Sequence, residues 1–323
     1  MSIAREGIKG MLPAAINLIS GPGCPVCVTP DRDIDRVMDL SGKKGFVVVT
    51  FGDMLRVPGS GSSLEKERAK GADVRAVYSA MDALDICRAN PDKKVIFFAI
   101  GFETTSPTIA AAVIAAKKEG LKNFFIYSSC KLIPPAMKAL LGSKKVKIDG
   151  FICPGHVSVM IGSKAYDFIP KKYGIPCVVA GFEPLDILQA IYMLVRQSSS
   201  KNKKVEIQYK RCVNRNGNPA AMKALSEVFR TADAEWRGLG MIPGSGLVLR
   251  KEYKDFDAGN IFTAKKHILK KGNNACRCGD VLCGIISPDK CRLFGKRCTP
   301  DNPAGPCMVS SEGTCAAAFR YSG

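Results

Sequence analysis

The cysteine-rich C-terminal segment constrains this chain most, because half of all its cysteines fall within a small part of its length. Seven of the fourteen cysteines lie in residues 276–323. Four of them follow the spacing C-x14-C-x6-C-x16-C: Cys276, Cys291, Cys298 and Cys315. The residues between them are rich in Gly, Pro, Asp and Asn, which favour tight turns over helices and strands. A small irregular segment buries little apolar core, so the sequence predicts one that is held together by a covalent or metal link.

Thiolates suit both zinc and the iron of an iron–sulfur cluster, and the spacing bears on the choice. Structural zinc sites usually take their cysteines from C-x2–4-C pairs, which these long gaps do not resemble. The gaps also differ from common ferredoxin spacings. Between the two kinds of site we favour an iron–sulfur cluster, and zinc stays open. Cys278 lies only two residues from Cys276, so either can be the first ligand. The cysteines left over, among them Cys278 and Cys307, are available as a dithiol beside the metal.

Composition and charge narrow the class of protein. The chain of 323 residues is 46% apolar and 24% charged, as expected of a globular protein with a sizeable core. No apolar run approaches the roughly 18 residues that span a bilayer, and the first residues do not resemble a secretory signal. We therefore expect a cytoplasmic protein whose cysteine clusters bind metal or react. The net charge of +19 comes from scattered lysines without interleaved aromatics, which argues against nucleic acid and leaves an acidic protein partner open.

Short β-branched and aromatic runs alternate with helical patterns, which is typical of βαβ units and parallel sheets. The predicted strands are Phe46–Phe51, Val95–Ile100, Phe124–Tyr127, Phe151–Ile152 and Cys177–Ala180, and the predicted helices are Asp33–Leu40, Pro107–Lys118 and Pro184–Arg196. Two of these strands run into Gly-Phe-Glu, at 101–103 and 181–183, which indicates two related domains. We predict an α/β fold with a first α/β domain at 1–140, a second at 141–230, and a C-terminal segment at 231–323 that holds the cysteine-rich region.

The stretch GPGCPVCVTP contains a C-x-x-C pair, Cys24 and Cys27. Two cysteines at this spacing can cycle between dithiol and disulfide, or they can share a metal ion. Thr29 and Pro30 resemble the cap and the first position of a following helix, which would place Cys27 near a helix N-terminus and stabilise its thiolate. Half of a structural zinc site is the alternative, although the sequence has no second C-x-x-C pair to complete it.

Polar groups also follow the predicted strand that ends near residue 100. Glu103, Thr104 and Thr105 could orient a ligand or tune nearby thiols, because open α/β sheets place ligands at the carboxyl ends of their strands. Helix capping is the alternative role for these residues. Ser106 is expected to cap the helix that Pro107 begins.

The stretch CPGHVS places Cys153 and His156 just past another predicted strand. His156 is equally consistent with a functional residue and with a structural hydrogen bond. A hydrolytic Cys153–His156 pair is disfavoured, because three residues in one loop rarely give the geometry of a catalytic triad. No glycine-rich stretch completes a nucleotide-binding fingerprint, so neither NAD nor ATP is expected.

Six stretches together resemble the HypD family of hydrogenase maturation factors, in the same order over essentially the whole chain: GPGCPVCVTP, GFETTSPT, CPGHVSVMIG, GFEPLDILQAIYMLVRQ, EWRGLGMIPGSGL and the CRCG…CMVSSEGTC tail. The resemblance implies two α/β domains and a 4Fe–4S cluster held by the C-x14-C-x6-C-x16-C cysteines. It implies a complex with the small chaperone HypC, on which the Fe(CN)2CO unit of nickel–iron hydrogenase is assembled. Cyanide would arrive from the partner HypE.

The resemblance also assigns roles to individual residues. It makes Cys24 and Cys27 the redox-active or iron-binding thiols. Our mechanistic hypothesis is that electrons pass from the tail cluster through Cys278 and Cys307 to Cys24, Cys27 and bound iron. The residues expected to line the cleft between the two α/β domains are Glu103, Thr104, Thr105 and His156. An iron–sulfur-dependent dithiol/disulfide oxidoreductase that acts on a protein partner is the alternative function.

One motif of the family does not occur in this sequence. Family members carry a Cys-Gly-x-His motif shortly before the stretch that begins here at Met1, and its cysteine is the expected iron ligand. We expect either a true start at Met1, with Cys24 and Cys27 holding the iron alone, or a start assigned at an internal methionine. An in-frame Cys-Gly-Thr-His in the upstream coding sequence would decide between the two.

Overall fold

The computed structural model describes residues 1–143, 147–263 and 275–321. These residues form two parallel β-sheets with helices, an antiparallel hairpin and an irregular cysteine-rich segment, which confirms the predicted α/β fold. The strands are β1 Phe46–Phe51, β2 Val74–Val77, β3 Lys94–Ala99, β4 Phe124–Ser128, β5 Phe151–Pro154, β6 Cys177–Ala180, β7 Val205–Ile207, β8 Phe229–Trp236 and β9 Gly240–Leu249. The domain boundaries near residues 140 and 230 stay a prediction.

The helices vary in length from single turns to fifteen residues. They are α1 Ser2–Arg5, α2 Ile8–Met11, α3 Pro25–Val28, α4 Asp31–Ser41, α5 Gly52–Leu55, α6 Leu64–Ala69, α7 Asp82–Ala89, α8 Ser106–Glu119, α9 Ile133–Gly142, α10 Gly155–Ile161, α11 Phe168–Tyr173, α12 Pro184–Ser198, α13 Pro219–Val228, α14 Ala258–Ile261, α15 Cys278–Leu282 and α16 Thr314–Tyr321. No helix in the described part of the chain is long and apolar enough to cross a membrane.

The first sheet has the strand order β2-β1-β3-β4, and all of its pairs are parallel. Strand β1 is central, with Val48 paired to Val74 on one side and to Ile96 on the other. Its middle residues are buried, as expected for a parallel strand covered on both faces. Helix α8 begins one residue earlier than predicted, at Ser106. The predicted cap is wrong, because the Ser106 hydroxyl donates to the Phe102 carbonyl at 2.9 Å.

The second sheet has the order β5-β6-β7 and is also parallel. Here the Gly-Phe-Glu turn leads into α12, where Glu183 and Asp186 form a capping box. Glu183 is exposed, whereas Glu103 at the corresponding position of the first sheet is buried. The two turns therefore share a sequence but place their carboxylates in different surroundings.

The hairpin of β8 and β9 was not among the predicted strands. Its tip region contains Trp236, which is fully buried, donates from its indole nitrogen to Ser245 Oγ at 2.8 Å, and stacks on Phe102. Backbone bonds tie the hairpin to the end of the first sheet, including one from Leu132 N–H to the Ser245 carbonyl at 2.8 Å. The glycine- and proline-rich segment is thus an ordered element that packs against the first sheet.

One apolar core runs through all of these units. It includes Val48 of the first sheet, Val179 of the second, Trp236 of the hairpin, and Leu293 and Met308 of the cysteine-rich segment. The tail is therefore packed on the same contiguous core as both sheets. It is not a separate appendage.

Candidate metal and thiol site

Six cysteines of the tail line a single cavity, which we name the six-cysteine cavity. They are Cys276, Cys278, Cys291, Cys298, Cys307 and Cys315. Val281, Phe294 and Met308 contribute apolar side chains to the same lining. The four predicted cluster ligands therefore lie together, and the two cysteines predicted as a dithiol share their cavity. Cys283 is the one tail cysteine of the described chain that does not line it.

The chemistry of the cavity lining bears on which metal it could take. Among the described residues, no group of three or more His, Cys, Asp or Glu side chains is arranged to hold a metal ion. The lining nevertheless offers six sulfur donors and no histidine, which is the soft ligand set that iron–sulfur clusters take. By the chemistry of their donor atoms, the residues present fit an iron–sulfur cluster.

Two backbone positions approach the sulfur atoms closely. The Ala304 N–H donates to Cys298 Sγ at 3.3 Å. At Gly305, a Cβ atom would lie only 2.5 Å from Cys276 Sγ, so glycine is what lets the main chain pass beside that thiol. Backbone donors at ligand sulfurs are a means by which proteins adjust iron–sulfur centres.

The thiols of Cys276, Cys278 and Cys307 share hydrogen bonds. Cys278 accepts from Cys276 and from Cys307, and these bonds lower the pKa of Cys278 well below its ordinary value, with a further contribution from the Arg237 guanidinium. Donation to Cys278 raises the pKa of Cys276 and that of Cys307. Cys278 and Cys307, the pair not needed as predicted ligands, therefore interact within the six-cysteine cavity.

Cys24 and Cys27 form a disulfide, with their Cα atoms 5.3 Å apart. Both are buried, at 3% and 0% exposure. Cys24 precedes the single-turn helix α3, and its sulfur accepts the Cys27 N–H at 3.2 Å. The predicted helix start differs: α4 begins at Asp31, and the Thr29 hydroxyl donates to the Pro25 carbonyl at 2.9 Å instead of capping α4. Cys27 thus lies in α3, ahead of α4.

The C-x-x-C loop lies against the tail. Cys27 Sγ is 3.8 Å from the carbonyl oxygen of Pro306, the residue before Cys307. Pro306 and Cys307 belong to the 3₁₀ turn Pro306–Met308, which packs on α3. The fold therefore brings together the C-x-x-C pair and the tail cysteines, which lie near opposite ends of the sequence.

Glu103 is a buried carboxyl group with incomplete hydrogen bonding. It is 2% exposed, and its Oε1 accepts the Ile133 N–H at 3.0 Å, at the first residue of α9. Within the described part of the chain, its Oε2 has no hydrogen-bond partner. Burial raises the pKa of Glu103 to about 7, against the lowering effect of its backbone hydrogen bonds. Helix capping, the alternative role for this residue, is thus found in part: Glu103 accepts a backbone N–H at the start of α9, not at the start of α8.

The other residues predicted around the cleft lie at different depths. Thr104 and Thr105 are half-buried at the start of α8, with their hydroxyl oxygens 3.5 Å apart. His156 is exposed in α10, and its ring stacks on Phe182 with centroids 4.0 Å apart. His156 therefore packs against Phe182 at the surface, whereas Glu103 is buried. That these four residues line one cleft stays a prediction.

Cys153 does not pair with His156. It is buried near Cys177 of the neighbouring strand, and burial raises its pKa well above the ordinary value. Beside it lies Tyr166, fully buried, whose hydroxyl is 3.1 Å from Ser158 Oγ. This agrees with the low expectation for a hydrolytic pair. Tyr166 was not identified from the sequence, since an isolated tyrosine in SKAY carries no motif.

Arg237 was also missed. It lies in the turn between β8 and β9 and binds backbone carbonyls of the C-x-x-C region, as described below. Arg237 belongs to one of the stretches that resemble the HypD family, but no sequence pattern indicates which distant carbonyls an arginine will bind.

Comparison with known proteins gives a consistent result. The family model described as HypD, hydrogenase formation hypA family, matches residues 1–322. Hydrogenase maturation factor HypD of Azotobacter vinelandii is 48% identical over 327 residues, covering 99% of this chain and 86% of the relative. HypD2 of Bradyrhizobium diazoefficiens is 47% identical and HypD of Cupriavidus necator 45%, each over 328 residues with the same two shares covered.

Proposed function

Because the chain belongs to the HypD family of hydrogenase maturation factors, we propose that it is the scaffold on which the Fe(CN)2CO unit of nickel–iron hydrogenase is assembled. The observation that carries the proposal is the contact between Cys27 and Pro306, which sets a C-x-x-C pair against the six-cysteine cavity. An assembly site for a low-spin iron unit needs thiolate donors and a nearby source of electrons. This arrangement supplies residues suited to both.

The proposed cofactor is a 4Fe–4S cluster. Its ligands would be the four cysteines of the C-x14-C-x6-C-x16-C pattern, all of which line the six-cysteine cavity: Cys276, Cys291, Cys298 and Cys315. When bound, such a cluster exchanges single electrons. The apolar lining and the Ala304 N–H at Cys298 Sγ would shield and stabilise the ligand thiolates.

The iron to be assembled is the cargo, and Cys24 and Cys27 are proposed to bind it. Opening their disulfide takes two electrons and two protons and leaves two thiols, which can ligate iron as thiolates. Both sulfurs are buried, so the pair would hold its cargo away from water. The thiols of Cys278 and Cys307 are proposed to serve the redox change of this pair, since both line the six-cysteine cavity and Cys307 directly follows Pro306.

The partners follow from family membership. We propose that the chain acts in the cytoplasm in a complex with the small chaperone HypC, and that HypE donates cyanide. The residues proposed to line the cleft where these ligands reach the iron are Glu103, Thr104, Thr105 and His156. The excess of lysine and arginine, 48 against 29 acidic residues, suits acidic protein partners.

The test is anaerobic purification of the full chain together with HypC, followed by iron and acid-labile sulfide analysis and infrared spectroscopy. We expect bound cluster and bands of iron-bound cyanide and CO. The variant Cys24→Ser should lose the infrared bands and keep the cluster. Cys87→Ala is the matched control, because Cys87 is equally buried but lies in α7 of the first domain. Infrared bands that persist in Cys24→Ser would refute the assignment of the cargo site.

The alternative function, a dithiol oxidoreductase, is favoured by the disulfide itself. However, sulfurs exposed by 3% or less offer no surface on which a folded protein disulfide could dock. If the chain reduced or oxidised a protein disulfide while it carried no iron cargo, the oxidoreductase function would be supported over the scaffold function.

A further inference from the structure

The turn between β8 and β9 holds the end of the C-x-x-C segment through Arg237. The Arg237 backbone N–H donates to the Val28 carbonyl at 2.8 Å, and its Nε donates to the Thr29 carbonyl at 2.8 Å. Val28 is the last residue of α3, and Thr29 is the next. Both hydrogen bonds therefore fix the main chain directly after Cys27.

A second nitrogen of the same side chain is also engaged. This terminal nitrogen donates to the Pro58 carbonyl at 3.3 Å and pairs with the carboxylate of Asp31, the first residue of α4. The side chain is only 12% exposed. Burying a guanidinium to this degree is costly unless it is paired, and here three segments of the chain supply acceptors.

The same turn touches the cysteine-rich tail. Gly238, with φ +81°, packs against Gly279 so closely that a Cβ on Gly279 would lie 2.7 Å from the Gly238 Cα. Gly279 follows Cys278 at the start of α15. The turn thus has the C-x-x-C segment on one side and the tail backbone on the other, with no room for a side chain at the second contact.

We propose that Arg237 is a positioning residue that holds helix α3, and with it the Cys24–Cys27 pair, against the cysteine-rich tail. By fixing the Val28 and Thr29 carbonyls, it keeps Cys27 buried beside Pro306 and so controls access to the thiol pair. The proposal rests on the proposed function only for the use made of these thiols. The positioning itself requires neither iron nor a partner protein.

The test measures thiol reactivity in the full-length protein. Anaerobic protein is reduced with dithiothreitol, freed of reductant and treated with N-ethylmaleimide, and the modified peptides are followed by mass spectrometry. We expect R237Q to raise the modification rate of Cys24 and Cys27 about tenfold or more, as loss of a charge-assisted hydrogen bond to a buried group implies. R237K, which restores one charged donor, should lie between R237Q and the unmodified chain.

Two controls separate positioning from general loosening. Arg56 also binds a backbone carbonyl of the tail, that of Pro300, so R56Q removes a similar contact away from α3 and should leave the rate unchanged. Cys87, 1% exposed in the first domain, should stay protected in every variant.

Equal rates in R237Q and the unmodified chain would overturn the proposal, and so would a parallel increase at Cys87 or in R56Q. If R237Q does not fold, D31N decides the question. It removes the ion pair and keeps the carbonyl bonds, so it should give a smaller increase, and an unchanged rate would overturn the proposal. Raised thiol reactivity in R237Q together with normal hydrogenase maturation would count against the proposed function alone and would leave the positioning role intact.

Discussion

Cys27 Sγ lies 3.8 Å from the carbonyl oxygen of Pro306, although 279 positions separate the two residues in the sequence. Pro306 precedes Cys307, and Cys307 lines the six-cysteine cavity together with Cys278. The contact therefore places the C-x-x-C pair directly beside the six-cysteine cavity.

Replacing a proposed cluster ligand should remove the cluster. For Cys298→Ser we expect iron and acid-labile sulfide per chain to fall about tenfold or more, because the cavity loses a thiolate together with the Ala304 N–H bond to it. Chemical analysis after anaerobic purification measures this. Cys283→Ser is the control, since Cys283 does not line the cavity. Equal losses in the two variants would contradict the ligand assignment.

Removing the second thiol pair should separate cluster binding from function. The double variant Cys278→Ser/Cys307→Ser is expected to retain its cluster and to lose maturation activity, because these two sulfurs are proposed to serve the redox change of Cys24 and Cys27. Hydrogenase activity in a strain that carries the variant measures this. Normal maturation in the double variant, combined with none in Cys24→Ser, would show that the pair is dispensable.

Adding one carbon at Gly305 should disturb the cavity. In Gly305→Ala the new Cβ would meet Cys276 Sγ at 2.5 Å, so the chain or the thiol must shift. We expect a loss of about 1–3 kcal/mol in the free energy of unfolding, typical of overpacking, together with lower iron content. Denaturant titration and metal analysis measure both. Gly61→Ala, where a Cβ meets nothing within 4 Å, should show neither effect.

Glu103 should make the protein less stable as pH rises from about 4.5 to about 7. Burial raises its pKa from 4.5 to about 7, so between these values the folded state binds a proton that the unfolded state has lost. The full stabilisation is present below pH 4.5 and is lost as pH passes through the folded pKa, at a total cost of about 3 kcal/mol.

Glu103→Gln should remove this dependence, because the amide keeps an acceptor for the Ile133 N–H and carries no charge. Unfolding titrations of both proteins at pH 5 and pH 8 test this, with the exposed Glu65→Gln as control. If the difference in stability between the variant and the parent is the same at both pH values, the carboxyl group does not titrate in this range.

Much of the fold could be predicted from local patterns. The runs Phe46–Phe51 and Cys177–Ala180 are apolar and β-branched, and the structure gives these two strands the predicted bounds. Strands β2 and β7 were missed because they are short edge strands of four and three residues with mixed composition. The β8–β9 hairpin was missed because glycine and proline indicate turns, whereas its pairing depends on packing around the buried Trp236.

The site could be predicted only in part, for a related reason. Cysteine spacing identified the tail residues that share a cavity, since thiols in an irregular segment have few roles besides metal binding. Two contacts of the site involve backbone carbonyls: Cys27 Sγ lies beside that of Pro306, and Arg237 donates to that of Thr29. Every residue has a carbonyl, so no side-chain pattern marks which one will be used.

The contiguous core described above also constrains how the protein comes to maturity. Val48, Val179 and Met308 belong to one apolar cluster, so the face that each sheet turns toward this cluster stays incomplete until the tail has docked, whereas the other faces pack in clusters of their own. A tail that depends on its metal for structure would then make cofactor insertion a late step in folding. Newly made chains would reach full rigidity only once they are loaded, and unloaded chains would be the ones that cellular proteases recognise and remove.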